Sequence, residues 1–151
     1  MVNQVKIQSL MEYKFNNDSL LTEALEAAGR ANYTETISGM DGNKRLALLG
    51  DALLQLVYLD RWYPSGRDRE YASDELQKFT CNKNLQKCAE ELTITSEILP
   101  NAAQQPLERV PKTTAASTME ALLGAVWLDS NKDFEQVKKA AVNLEILEDI
   151  S

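Results

Sequence analysis

A chain of 151 residues, 44% apolar and 26% charged, is long enough for one ordinary domain with its own core, and this composition excludes a disordered or fibrous protein. Sixteen basic against 23 acidic residues give a net charge of −7 and a pI near 4.7, which opposes strong unaided binding to a polyanion, so any nucleic-acid contact must be local. No apolar run approaches the roughly 18–20 residues that span a bilayer, and the opening residues lack the apolar core of a secretion signal, so an intracellular protein without membrane contact is expected.

In chain order the spacing of apolar residues predicts helices and almost no strand. A short helix begins over 7–11. Asn17, Asp18 and Ser19 then supply capping side chains before Leu20, Leu21, Ala24, Leu25 and Ala28, a helical stripe that Gly29 ends. Residues 31–42 are polar, hold Gly39 and Gly42, and read as a loop leading into a central helix over 43–62, stopped by Pro64, Ser65 and Gly66. One amphipathic helix from 70 or 73 to 92 is expected to bury Leu76, Phe79, Thr80, Leu85, Cys88 and Ala89. Pro100, Pro106 and Pro111 break the next stretch and leave room for at most a short turn of helix over 102–107. Thr113 or Thr114 can cap a second apolar helix over 115–128. A last helix starts at 131–133 and carries Phe134, Val137, Ala141, Leu144 and Leu147 at helical intervals.

The central helix is apolar on several sides, with Leu46, Leu49, Leu53, Leu56 and Val57 on one flank and Leu48, Leu54, Tyr58 and Leu59 elsewhere. Burial all round follows from that pattern, and a domain this small achieves it readily when a second copy covers one face. A homodimer packed through this helix is therefore expected, with a central helix wrapped by its own chain as the alternative. Cys81 and Cys88, with no histidine in the chain, read as reduced thiols rather than a zinc site. Lys78, Lys83, Lys87, Arg109, Lys112, Lys138 and Lys139 all have acids nearby and read mostly as solvated helix faces, while Trp62, Tyr63 and Trp127 read as core or interface aromatics.

Two acids stand out against this apolar background. The run 43–54 is N-K-R-L-A-L-L-G-D-A-L-L, with Asp51 near its middle, and the run 115–128 is A-A-S-T-M-E-A-L-L-G-A-V-W-L, with Glu120 followed four residues later by Gly124. A carboxylate in apolar surroundings needs a cation, a metal or a donor, or it neutralises. Two apolar helices, each holding one acid, and a glycine that permits close helix approach point to a shared site.

These two motifs resemble those of the ribonuclease III domain. Its Asn-Glu-Arg-Leu-Glu-Phe-Leu-Gly-Asp-Ala helix is matched by Asn43-Lys44-Arg45-Leu46-Ala47-Leu48-Leu49-Gly50-Asp51-Ala52, and its second motif by Lys112, Ala116-Ser117, Glu120-Ala121 and Gly124-Ala125. Tyr13-Lys14-Phe15, the run 20–25 and the run 82–85 fit the same register. The form G-N-K-R-L-A-L-L-G-D-A is especially similar to small stand-alone fungal members. The resemblance implies an all-α endonuclease-domain fold spanning 1–151 and, since only Ile150 and Ser151 are left after the last helix, no appended double-stranded RNA-binding domain.

The resemblance also implies a site of four carboxylates that holds Mg²⁺ or Mn²⁺ and activates water against double-stranded RNA. Here Asp51 and Glu120 match two of them, as catalytic and metal-binding candidates, whereas Ala47 and Ser117 stand where the other two acids are expected. Positions 47 and 51 share one helix face, as do 117 and 120, so each pair of acids is reduced to one. Lys44 replaces a further Glu of the motif and brings positive charge to the same face, where it can partly replace a metal; Lys112 is a candidate RNA contact. Two lost ligands at about 1.5–3 kcal/mol each predict a loss of two to four powers of ten in metal occupancy or rate. The expected function is thus RNA processing, or weak binding of double-stranded RNA or of a protein partner, with impaired or absent cleavage. An active Mg²⁺-dependent endoribonuclease using Asp51 and Glu120, and a structural ribosome-associated subunit, are the alternatives.

Overall fold

The computed structural model describes residues 4–30 and 41–149. Most of the expected loop, 31–40, and the terminal Ile150 and Ser151 lie outside the described residues. Helix α1 covers Gln4–Met11, α2 Asp18–Ala24, α3 Lys44–Trp62, α4 Arg69–Thr80, α5 Asn82–Glu91, α6 Lys112–Asp129 and α7 Phe134–Asn143, with short 3₁₀ turns at Tyr63–Ser65 and Ile94–Glu97. The all-α expectation holds, and among the described residues the only extended pairing is an isolated parallel bridge between Glu26 and Leu99.

Helix α6 is the axis of the fold. Every residue from 115 to 126 except Glu120 is buried, and α3 packs along it most extensively, with α5, α7 and α2 covering its other sides. An all-round apolar helix has to be central, because no face can be given to water. The sequence read α3 as apolar all round too, with burial on every side completed by a second copy, and in the single chain one side of α3 is open. Leu48 is 76% and Leu56 51% exposed, with Ala52 exposed between them, so α3 buries one side only, through Leu46, Ala47, Leu53, Leu54, Val57 and Tyr58.

Three boundaries differ from expectation. The helix predicted from 70 or 73 to 92 is two helices, because Cys81 adopts extended backbone (φ −68°, ψ 151°), and the Asn84 side chain donates to the Phe79 carbonyl (2.9 Å) where the first helix leaves it unpaired. Helix α2 stops at Ala24, short of Gly29, because the next residues pair across the molecule: Leu99 N–H donates to Leu25 O (2.7 Å), Ala27 N–H to Leu99 O (2.9 Å) and Asn101 Nδ2 to Ala28 O (2.8 Å). Helix α6 begins at Lys112 after Pro111, with no side-chain cap from Thr113 or Thr114. Asn17 caps α2 as predicted, accepting from Ser19 N–H, and Asp133, in the stretch expected to start the last helix, caps α7 by accepting from Glu135 N–H. The segment 102–107 forms turns.

The two ends of the fold are tied to α6. Asp129, its last residue, accepts from Tyr13 Oη (2.6 Å), Asn16 N–H (2.9 Å) and Asn17 N–H (2.8 Å), fixing the junction of α1 and α2. Past α7, Leu144, Ile146 and Leu147 leave the helix and are buried in the core. The basic side chains behave as solvated faces: Lys78 pairs with Glu75, Lys138 with Asp60 and Glu135, and Arg109 with Glu90.

Candidate active site at the crossing of α3 and α6

Two glycines set the distance between the helices. A Cβ on Gly50 would overlap the Glu120 carbonyl, and one on Gly124 would overlap the Leu46 carbonyl, so backbone meets backbone at both points. Any larger side chain would force α3 and α6 apart. Gly50 precedes Asp51, and Glu120 lies four residues before Gly124, so this contact delivers the two acids to one another. The Asp51 and Glu120 carboxyls are within hydrogen-bonding reach of one another.

A carboxyl group this close to another is harder to ionise. The Glu120 carboxyl is pushed up to about 8, first by burial, then by the hydrogen bond to Asp51 and the Asp51 charge, while the Lys44 ammonium pulls the other way. Asp51 Oδ2 also accepts from Gln55 Nε2 at 3.2 Å, one turn further along α3.

One turn back, the second pair of motif positions meets differently. Ala47 and Ser117 are both buried, each 6% exposed, and Lys44 Nζ donates across the crossing to Ser117 Oγ at 2.6 Å. Where the resemblance expects two further acids, the site therefore holds a methyl group, and a hydroxyl engaged by an ammonium. Lys112 is not brought in: it is the exposed first residue of α6, two turns or about 12 Å of helix rise before Glu120.

The start of α3 is fixed by a residue whose weight the sequence did not reveal. Asn43 is 1% exposed; its Nδ2 donates to Ala24 O (2.9 Å) and Thr118 Oγ1 (3.0 Å), and its N–H donates to Glu26 O (2.8 Å). It locks α2, α3 and α6 together just before Lys44 and so sets the reach of that lysine. Its place as the first residue of the matched motif was the available signal, but its partners Ala24, Glu26 and Thr118 are distant in sequence.

The donor set bears on a metal. Mg²⁺ can be held by one or two carboxylates, but they must be ionised. Here Glu120 is held protonated around neutrality, Ser117 is occupied by Lys44, and an ammonium adds positive charge beside the pair. Among the described residues no group of three or more His, Cys, Asp or Glu side chains is placed to hold a metal ion. As built, this crossing does not fit a divalent cation.

Comparison with known proteins places this geometry. The family model for ribonuclease-III-like proteins matches residues 17–150. The ribonuclease 3 of Caldanaerobacter subterraneus is 30% identical over 151 residues, covering 95% of this chain and 64% of the relative; that of Natranaerobius thermophilus is 32% identical over 133 residues, covering 85% and 55%. The chain thus spans a little over half to just under two thirds of these relatives' length. Both are bacterial and carry no support for the narrower fungal resemblance. In three dimensions the chain superposes on the nuclease domain of ribonuclease III from Campylobacter jejuni with a TM-score of 0.79, at 25% identity and with both chains fully covered. A second structure of that domain, described for structural flexibility in a region involved in dimer formation, gives a TM-score of 0.78 at 26% identity, covering 94% of this chain and 95% of that one. The chain therefore belongs to the ribonuclease-III-like family, and its fold is that of a ribonuclease III nuclease domain.

Proposed function

We propose that this protein is a ribonuclease III-like domain of RNA processing whose site is degenerate, binding double-stranded RNA or a protein partner with weak or absent cleavage. The observation that carries this reading is the hydrogen bond from Lys44 to Ser117 across the crossing, beside a Glu120 carboxyl that burial and the neighbouring Asp51 push up to about 8. Metal-assisted phosphodiester cleavage needs ionised ligands that hold a cation and lower the pKa of its water. At this crossing the charge of the acids is already offset by a proton and an ammonium.

The working form in this reading is a homodimer. Its support is the exposed stripe of Leu48, Ala52 and Leu56 on α3, with Tyr63, 80% exposed, at its end, and dimer formation in the Campylobacter jejuni nuclease domain. A contiguous apolar stripe on a helix that also carries site residues is the surface a second copy would cover.

One observation favours the active alternative, a two-carboxylate endoribonuclease: Asp51 and Glu120 meet across two helices as paired acids. A cleavage assay decides between the readings, with a short RNA duplex, Mg²⁺ or Mn²⁺, and the Asp51→Asn and Glu120→Gln variants alongside. The proposal expects little or no specific product from folded protein. Robust cleavage lost in both variants would make the protein an active nuclease.

A further inference from the structure

We infer that Lys44 is the resident cation of the α3–α6 crossing, and that its ammonium, held on Ser117, keeps divalent metal from the Asp51–Glu120 pair. The inference rests on reading the crossing as the family's site, and it assigns the lack of metal affinity to one residue rather than to the missing acids alone.

Lys44 is exposed as a residue, but its ammonium is anchored on the neighbouring helix. A lysine at the first turn of an exposed helix normally extends into water, where its ammonium is fully hydrated. Lys44 instead crosses to the neighbouring helix and donates to a hydroxyl that is itself buried, at 2.6 Å. The contact is held from both sides: Asn43, the residue before it, is clamped to α2 and α6, and the Gly50–Glu120 and Leu46–Gly124 backbone contacts fix the helix separation. Its charge is felt at Glu120, the acid one turn beyond Ser117.

A fixed ammonium at this place opposes a metal in two ways. It uses the Ser117 oxygen, a neutral donor beside the acids, and it repels a doubly charged ion next to the partly buried Glu120. Replacing Ala47 and Ser117 by acids would then restore affinity only in part while Lys44 stays.

The test is Mn²⁺ binding at fixed pH, read from the electron paramagnetic resonance signal of free Mn²⁺, without RNA and without any activity measurement. The proteins are the parent, Lys44→Met, Lys44→Arg, the Ala47→Glu/Ser117→Asp double variant, and that double variant combined with Lys44→Met. Each is checked for folding by circular dichroism, and Asp51→Asn in each background subtracts binding elsewhere on this acidic surface. Lys44→Met keeps the aliphatic stem and loses the charge. It should bind Mn²⁺ at least about tenfold more tightly than the parent, a difference of about 1.4 kcal/mol, while Lys44→Arg stays with the parent. The triple variant should exceed the double by a similar factor. Equal affinity of the parent and Lys44→Met overturns the inference, and so does a double variant that binds as tightly as the triple. Should the buried acids prevent folding, the Lys44→Met and Lys44→Arg comparison decides alone. The reading of function fails separately, through cleavage by the parent protein.

Discussion

Gly50 and Glu120 touch through their backbones, Cα against carbonyl, at the point where α3 crosses α6. That contact is why the Asp51 and Glu120 carboxyls meet. Gly50→Ala must push α3 off α6 or strain it, and overpacking in a close-packed core costs about 1–3 kcal/mol, occasionally more. We expect a loss of about 3 kcal/mol for Gly50→Ala and a similar loss for Gly124→Ala, measured by urea denaturation. A cost below about 0.5 kcal/mol at both positions would mean that the helices are not held this closely.

Stability should fall with rising pH because of Glu120. Its folded value, about 8, lies above the ordinary 4.5, so between these values the folded protein binds a proton that the unfolded chain has released. The stabilisation is complete below pH 4.5 and is lost as pH rises toward 8. Glu120→Gln cannot ionise, so urea midpoints taken from pH 5 to 9 should decline less for this variant than for the parent. Superimposable profiles would show that Glu120 does not carry the proton.

Self-association should depend on the exposed side of α3. Leu48→Lys places a charge at the most exposed leucine of that stripe, and a central apolar anchor replaced by a charge weakens association at least about tenfold. Sedimentation of the parent as a dimer at micromolar concentration, and of the variant as a monomer, is the expected pair of results. A monomeric parent would remove the dimer.

The two thiols should react at very different rates. Cys88 is buried, donates to Glu145 O at 3.3 Å, and is raised from 9 to about 11 by burial and then by the charges of Glu91 and Glu145. Cys81 sits at the break between α4 and α5, partly exposed. A thiol reagent at pH 8 should modify Cys81 first. The Cys88 thiolate fraction alone predicts a rate about a hundredfold below that of an ordinary thiol, before access is counted. Simultaneous modification in the native protein would place Cys88 at the surface.

Much of this was legible from local pattern. The apolar runs around Asp51 and Glu120 located α3 and α6, and Gly124 announced a close approach. What escaped depended on partners far along the chain. The break at Cys81 carries neither Gly nor Pro, and it is stabilised by Asn84 reaching back to Phe79. The early end of α2 follows from pairing with residues near Leu99, more than seventy positions away. Leucine content made α3 look wholly buried, because hydropathy does not distinguish a face turned to the core from one left for a second copy.

The carboxylate of Asp129 gathers Tyr13 and the amides of Asn16 and Asn17 at the far end of α6. Those two amide hydrogens exchange with solvent when that side chain lets go, so an exposed junction of α1 and α2 is protected by one carboxylate of α6 and not by its own backbone. In deuterium exchange, Asn16 and Asn17 would be slower in the parent than in Asp129→Ala, while the core of α6 kept its rate.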